Sequence, residues 1–106
     1  MEKRKAHYNL EEIKAAFADP DTVEHITLSA RNGARELRLS DEDIVTVIQS
    51  LGARDLQKSM TAYRDHTLWQ DVYCPTYNEV RLYVKFTKDK ETDAYWLISF
   101  KKYEQD

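Results

Sequence analysis

The spacing of apolar residues changes once along this chain, and that change limits the folds that it can adopt. In the first half, apolar residues such as Leu10, Ile13 and Phe17 recur every three or four positions, the spacing of an amphipathic helix. From Leu56 onward apolar and polar residues alternate, which is typical of strands with one buried face. Helices followed by strands predict an α+β fold, with N-terminal helices packed on one face of a mostly antiparallel β-sheet.

Three helices are predicted in the first half. Asn9 can cap the first helix, because Glu12 follows three residues later, and Asp19-Pro20 ends it. The second helix is expected over Ser29–Leu37, after a short strand or extended stretch at Val23–Leu28. Its inward residues should be Ala30, Ala34 and Leu37.

The clearest helix start in the sequence is Ser40, with Asp43 three residues later as its capping partner. Acidic residues fill the first turn of this third helix, where the positive end of the helix dipole stabilises them. The apolar residues that follow form one stripe, which ends at Gly52: Ile44, Val47, Ile48 and Leu51.

Four strands are predicted in the second half: Lys58–Tyr63, Leu68–Tyr73, Val80–Lys88 and Ala94–Lys102. Alternation assigns their faces, because successive side chains of a strand point to opposite sides of the sheet. The expected core residues of the last two strands are Leu82, Val84, Phe86, Trp96, Ile98 and Phe100. Tyr83 and Lys101 should then share the opposite face, with Leu97 and Ser99. A surface that carries a phenol and several cations suits a phosphodiester.

Length, charge and cysteine content set broad limits. A chain of 106 residues is expected to form one domain over residues 1–106. The lone cysteine, Cys74, permits no internal disulfide, and no apolar run is long enough for a membrane span or signal peptide. These features predict a cytoplasmic protein. The net charge is −3, and residues 58–106 carry eight basic and eight acidic side chains, so any RNA site should be a local patch.

One segment is especially informative, since it combines proton carriers, cations, aromatics and an amide: it runs from Lys58 to Pro75 and reads KSMTAYRDHTLWQDVYCP. It closely resembles the diagnostic segment of the MqsR family, the RNA-cleaving toxins of bacterial toxin–antitoxin pairs. Further segments resemble the same family in the same order: the opening MEKR with Leu10, then LYVK at 82–85 and ISFKK at 98–102.

The resemblance implies a RelE-like microbial ribonuclease fold and a site without metal or other cofactor. Such enzymes cleave single-stranded mRNA by attack of the 2′-hydroxyl on the adjacent phosphorus, which requires a base, charge stabilisation and an acid. By resemblance, the catalytic set is Lys58, Gln70, Tyr83 and Lys101. Further RNA contacts are expected from Met60, Arg64, His66, Lys85 and Lys102.

The implied partner is an MqsA-like antitoxin, which joins a zinc-binding domain to a helix-turn-helix domain. By resemblance, the toxin acts without the ribosome and arrests growth until this antitoxin binds it. Promoter DNA would be bound only through the complex, with the toxin altering the affinity, and no membrane is involved.

Other interpretations of these residues remain open. Lys58 and Lys101 can be solvated lysines that protect a sheet edge, and Tyr83 can be an ordinary strand tyrosine. His66, whose imidazole can exchange a proton near neutral pH, can instead form hydrogen bonds within a loop, and Trp69 is expected to pack in the core. An alternative function is a non-catalytic module that binds RNA or the antitoxin and tunes transcription. A ribosome-dependent factor is disfavoured by the near-neutral second half.

Overall fold

The computed structural model describes residues 1–104, which form helices packed on one face of an antiparallel sheet. The α-helices are α1 (Leu10–Ala18), α2 (Leu28–Glu36) and α3 (Asp41–Ser50). The strands are β1 (Glu2–Lys3), β2 (Leu56–Ala62), β3 (Asp65–Tyr73), β4 (Thr76–Tyr77), β5 (Val80–Lys88) and β6 (Tyr95–Lys102). Within residues 1–104 these six strands form one sheet in the order β1-β2-β3-β5-β4, with β6 also paired to β5. The predicted α+β class is therefore confirmed.

The helix starts follow the capping residues. The Asn9 side chain accepts a hydrogen bond from the Glu12 amide at 3.1 Å, and Ser40 and Asp43 form a complete capping box. Thr27 caps α2, which begins at Leu28, one residue before the predicted start at Ser29. The strand or extended stretch predicted at Val23–Leu28 is confirmed only at Ile26 and Thr27, which are extended, and Ile26 forms an isolated parallel bridge with Leu97. The rest of the prediction is wrong, because Pro20–His25 is a 3₁₀ helix and α2 begins at Leu28.

The core lies between the helices and the sheet. The buried helix residues include Ile13, Phe17, Ala30, Ala34, Ile44, Val47 and Ile48, and they meet Leu82, Val84, Phe86, Leu97 and Phe100 of the sheet. Gly33 lets α2 lie directly on β6: a Cβ at this position would stand 2.0 Å from the Phe100 carbonyl oxygen. Gly33 has a low intrinsic helix propensity, but the packing of α2 on β6 requires a residue without a side chain here.

A β-bulge in β6 changes which residues face the core. Lys85 pairs with Ser99, but Phe86 pairs with Leu97, so Ile98 is left without a partner on β5. Leu97 is consequently fully buried, whereas Trp96 and Ile98 are only half-buried. The predicted core positions of Trp96 and Ile98, and the outward position of Leu97, are therefore wrong. Beyond the bulge Phe100 is buried, as predicted.

The N-terminal segment is held to the helix-facing side of the sheet by one buried carboxylate. The Asp71 carboxylate accepts hydrogen bonds from the backbone amides of His7 at 3.0 Å and Tyr8 at 2.9 Å. It also accepts a hydrogen bond from the Ser59 hydroxyl at 2.5 Å. Trp69 lies on this side too, stacked on His7 at 5.0 Å between ring centroids. It is half-buried, so the prediction that it packs in the core is wrong.

Candidate active site

The face of the sheet opposite the helices, called the open face below, brings together side chains from β2, β3, β5 and β6. Lys58 of β2 lies opposite Val72 of β3, Val72 lies opposite Lys85 of β5, and Lys85 lies opposite Ser99 of β6. These residues form one row across the sheet. Because Val72 is fully buried beneath its polar neighbours, the row has an apolar floor.

Tyr83 and Lys101 form the neighbouring row. They are direct partners in the β5–β6 register, while their sequence neighbours Val84 and Phe100 pair with each other and are buried in the core. The predicted common face of Tyr83 and Lys101 is therefore confirmed. The Lys101 ammonium lies 5.3 Å from the centroid of the Tyr83 ring and the Lys85 ammonium 5.9 Å from it. Two cations thus stand within cation–π range of one phenol ring.

Burial raises the pKa of the Tyr83 phenol, an effect that the charge of Lys58 partly opposes. The Tyr83 hydroxyl consequently keeps its proton at neutral pH and can donate a hydrogen bond. A neutral donor beside several ammonium groups can stabilise negative charge as it develops on phosphate oxygens.

Lys58 and Tyr83 line a cleft of about 640 Å³ with Gln57, Tyr103 and the segment from Glu2 to Arg4. Lys58 donates a hydrogen bond to the Glu2 carboxylate at 2.8 Å. This bond raises the pKa of Lys58 and lowers the pKa of Glu2. Lys58 therefore stays positively charged at neutral pH.

Glu2 is a residue of this cleft that the sequence does not predict. Glu2 reaches it because β1 pairs with β2, with Glu2 opposite Met60. The only signal for it in the sequence is the opening MEKR, which the resemblance includes but to which it assigns no role.

Gln70 lies one row further along the same face, opposite Met60 in the β2–β3 register. Both line a second cleft of about 550 Å³, together with Lys85, His66 and residues from β1 and the end of β2. Met60, His66, Gln70 and Lys85 are thus brought together as expected. Lys85 also approaches Tyr83 of the first cleft, so it stands between the two groups of residues.

Two predicted RNA contacts, Lys102 and Arg64, do not line either cleft. Lys102 is the register partner of Leu82, whose side chain is fully buried in the core, so Lys102 points to the helix-facing side. This placement disagrees with an RNA contact on the open face. Arg64 lies in the exposed turn between β2 and β3, at the end of the sheet away from Tyr83.

Two further findings concern metals and membranes. In the part of the chain that the structure describes, no group of three His, Cys, Asp or Glu side chains is placed to hold a metal ion. Among residues 1–104, no helix is both long and apolar enough to cross a bilayer.

The fold and the open face together define a small α+β protein whose sheet presents lysines, a phenol and an amide on one surface. Comparison with known proteins identifies the family. Residues 5–102 match the family described as motility quorum-sensing regulator, toxin of MqsA. The chain is also 41% identical over 87 residues to the mRNA interferase toxin MqsR of Escherichia coli (strain K12), covering 82% of this chain and 87% of that relative. The chain therefore belongs to the MqsR toxin family, as the sequence segments predict.

Proposed function

We propose that this protein is the toxin of a toxin–antitoxin pair and acts as a metal- and ribosome-independent endoribonuclease on single-stranded mRNA. The observation that carries the proposal is the shared open face of Lys58, Tyr83, Lys85 and Lys101. A relative named mRNA interferase toxin, 41% identical over most of its length, supports the activity.

Lysines and a phenol can perform the whole reaction when RNA supplies its own nucleophile, because a neutral lysine amine can take the 2′ proton while an ammonium group protonates the leaving 5′ oxygen. The 2′-hydroxyl attacks the adjacent phosphorus, and the 5′ oxygen leaves, which yields a 2′,3′-cyclic phosphate and a 5′-hydroxyl end. Lys101 neutralises the phosphate, and the Tyr83 hydroxyl donates a hydrogen bond to a phosphate oxygen. Lys58 remains charged beside the phosphate and serves proton transfer.

Gln70 positions the nucleotide next to the scissile phosphate. Its amide lies in the cleft with Met60 and His66, where an amide can donate to and accept from a base edge or a sugar. Met60 contributes apolar surface against a base. The second half of the chain carries equal numbers of basic and acidic side chains, so its positive charge is confined to a local patch. Such a patch is suited to a few phosphates of a single strand rather than to a long duplex.

The partner that we propose is an MqsA-like antitoxin with a zinc-binding domain and a helix-turn-helix domain. The family description, toxin of MqsA, supports this choice. In this proposal the toxin acts in the cytoplasm, and promoter DNA is bound only through the toxin–antitoxin complex. Co-expression with the neighbouring open reading frame should restore growth and allow the two proteins to be purified together.

Incubation of the purified protein with a single-stranded RNA oligonucleotide in EDTA tests the activity. We expect cleavage products that end in cyclic phosphate, and no cleavage of the same sequence when the nucleotide 5′ to the cut is 2′-deoxy. Strict dependence on an added divalent metal would contradict the mechanism. Binding of RNA without any cleavage would favour the alternative, a non-catalytic RNA- or antitoxin-binding module.

A further inference from the structure

Lys85 occupies the centre of the open face. Across the sheet, Val72 is the one residue between Lys85 and Lys58 in their shared row. Along β5, Lys85 lies two residues from Tyr83, which pairs with Lys101 of β6. It also lines the cleft that holds Gln70. Lys85 is thus the one lysine of this face that adjoins both the Tyr83–Lys101 row and the Gln70 cleft in the described part of the chain.

The surroundings of Lys85 disfavour a positive charge. Its side chain is half-buried, and within residues 1–104 it has no carboxylate partner, whereas Lys58 is paired with Glu2 at 2.8 Å. Burial, and then the positive charges of Lys101 and Lys58, lower the pKa of Lys85. The pKa of Lys58 moves the other way because of its hydrogen bond with Glu2. Two lysines on the same face therefore differ in how readily they release a proton.

From this geometry we propose that Lys85 is the general base that takes the proton from the 2′-hydroxyl, while Lys58 is the acid that protonates the leaving 5′ oxygen. The inference rests on the endoribonuclease function proposed above and assigns the two proton transfers within it. Groups of the same chemical type held in contrasting environments commonly divide the acid and base roles in this way.

The proton balance of the step is complete with these two residues. As the bond from the 2′ oxygen to phosphorus forms, the 2′ proton moves to the neutral amine of Lys85. As the bond from phosphorus to the 5′ oxygen breaks, a proton from the Lys58 ammonium moves to that oxygen. Exchange with solvent returns Lys85 to the amine and Lys58 to the ammonium. Lys101 and Tyr83 bind the phosphate throughout.

Several other groups can affect this titration, because they face Lys85 from the neighbouring strands. Glu2 of β1 lines the same cleft and would favour a charged lysine, but it is engaged by Lys58. His66 of β3 also lines the cleft. In the described part of the chain, the titratable and charged groups around Lys85 are the Met1 amino group, Glu2, Lys58, Tyr63, His66, Tyr83 and Lys101.

A substitution that fixes a positive charge at this position but removes the proton transfer distinguishes a base from a phosphate ligand. In Lys85→Arg the guanidinium stays protonated, so cleavage should fall by about a hundredfold or more. Binding of the non-cleavable 2′-deoxy oligonucleotide should stay the same or tighten by up to about threefold, because the guanidinium adds one positive charge to the site. Lys90→Arg, in the exposed turn between β5 and β6, is the matched control and should cleave normally.

An altered leaving group distinguishes the acid from the base. A substrate with sulfur in place of the scissile 5′ oxygen needs no proton on its leaving group, because a thiolate departs readily. Lys58→Ala should therefore regain most of its activity on this substrate, whereas Lys85→Arg should not. If Lys85→Arg were rescued and Lys58→Ala were not, the two assignments would be reversed.

Lys85→Arg could also lose activity because the larger arginine side chain fits poorly, so the pKa of Lys85 should be measured directly. Reductive ¹³C-methylation of the lysines and NMR titration should show one resonance, missing in Lys85→Arg, with a pKa below that of the other lysines. A Lys85 resonance at or above the ordinary lysine value overturns the inference, as does full activity of Lys85→Arg. If the wild type itself leaves RNA intact in EDTA, the failure lies in the proposed function and not in this assignment.

Discussion

At the scale of single residues, the open face depends on polar atoms whose removal should not disturb packing. The Tyr83 hydroxyl and the Lys101 ammonium project from the side of the sheet opposite Val84 and Phe100. Substitutions there can therefore separate activity from stability. The fold and the proposed chemistry are carried by opposite sides of the same strands.

Tyr83→Phe and Lys101→Ala should each reduce RNA cleavage by about a hundredfold, because each removes a group placed to stabilise developing charge. Their melting temperatures should stay close to that of the wild type, since neither loses core volume. His66→Ala, at the rim of the second cleft, should have a smaller effect on the rate. Full activity in Lys101→Ala with complete loss in His66→Ala would instead indicate a histidine-based mechanism.

The ion pair between Glu2 and Lys58 occupies the cleft where a phosphate would bind. In Glu2→Gln, Lys58 loses its carboxylate partner and is free to pair with phosphate, so the affinity for the 2′-deoxy oligonucleotide should rise by a few-fold. The gain is small because the pair is solvent-accessible and therefore weak. Fluorescence anisotropy can measure it, with Glu104→Gln, in the same cleft but outside the ion pair, as the control. An unchanged or weaker affinity would show that Glu2 does not compete with the phosphate.

At the scale of elements, the contact between α2 and β6 leaves no room for a larger side chain at Gly33. Gly33 allows the helix backbone to approach β6 so closely that an added Cβ would stand 2.0 Å from the Phe100 carbonyl oxygen. β6 continues from Phe100 directly into Lys101, so the seating of α2 also determines where one of the proposed catalytic lysines lies.

Gly33→Ala should lower the free energy of unfolding by about 1–3 kcal/mol, because overpacking at a rigid backbone contact forces α2 away from the sheet. Gly52→Ala is the matched control: its nearest neighbour would be an Asp55 carboxylate oxygen at 4.0 Å, and its φ of −127° is accessible to alanine. Urea unfolding of both variants measures the difference. Equal free energies of unfolding for Gly33→Ala and Gly52→Ala would show that α2 can move away from β6 without loss of stability.

At the scale of the whole molecule, the side of the sheet that meets the helices carries titratable groups that link folding to pH. Tyr73 of β3 is only 1% exposed, and burial, together with the nearby Asp71 charge, raises its pKa to about 12. Ionisation of this phenol is therefore coupled to loss of the core.

Stability should fall in alkaline solution as a consequence of this coupling. The phenol ionises near pH 10 when the chain is unfolded and near pH 12 when it is folded, so its contribution is complete below pH 10 and is lost between pH 10 and 12. The loss is about 2–3 kcal/mol, given a shift of about two pH units. Urea unfolding from pH 9 to 12 should show that the wild type loses stability relative to Tyr73→Phe as the pH rises. A constant difference would contradict the linkage.

Some of the structure follows from spacing and capping alone. The helix starts at Asn9 and Ser40 depend on hydrogen bonds to residues three positions away, and the common face of Tyr83 and Lys101 follows from regular alternation beyond the bulge. The family could be read from segments of ordinary sequence likeness, without any structure. All these features depend on neighbours along the chain.

Other features were decided only when distant segments met. Nothing near Ile98 in the sequence indicates the bulge that places Leu97 in the core, because the bulge belongs to the pairing of β6 with the distant strand β5. Glu2 and Lys58 are 56 residues apart, and their contact depends on the pairing of β1 with β2. The same holds for Lys85: its ionisation depends on burial and on cations from two other strands. Alternation along the sequence placed Tyr83 and Lys101 on the open face, but only the tertiary structure brought Glu2 to this face. Only the tertiary structure also set the charge state of each group, since charge depends on solvent exclusion and on distances across the sheet.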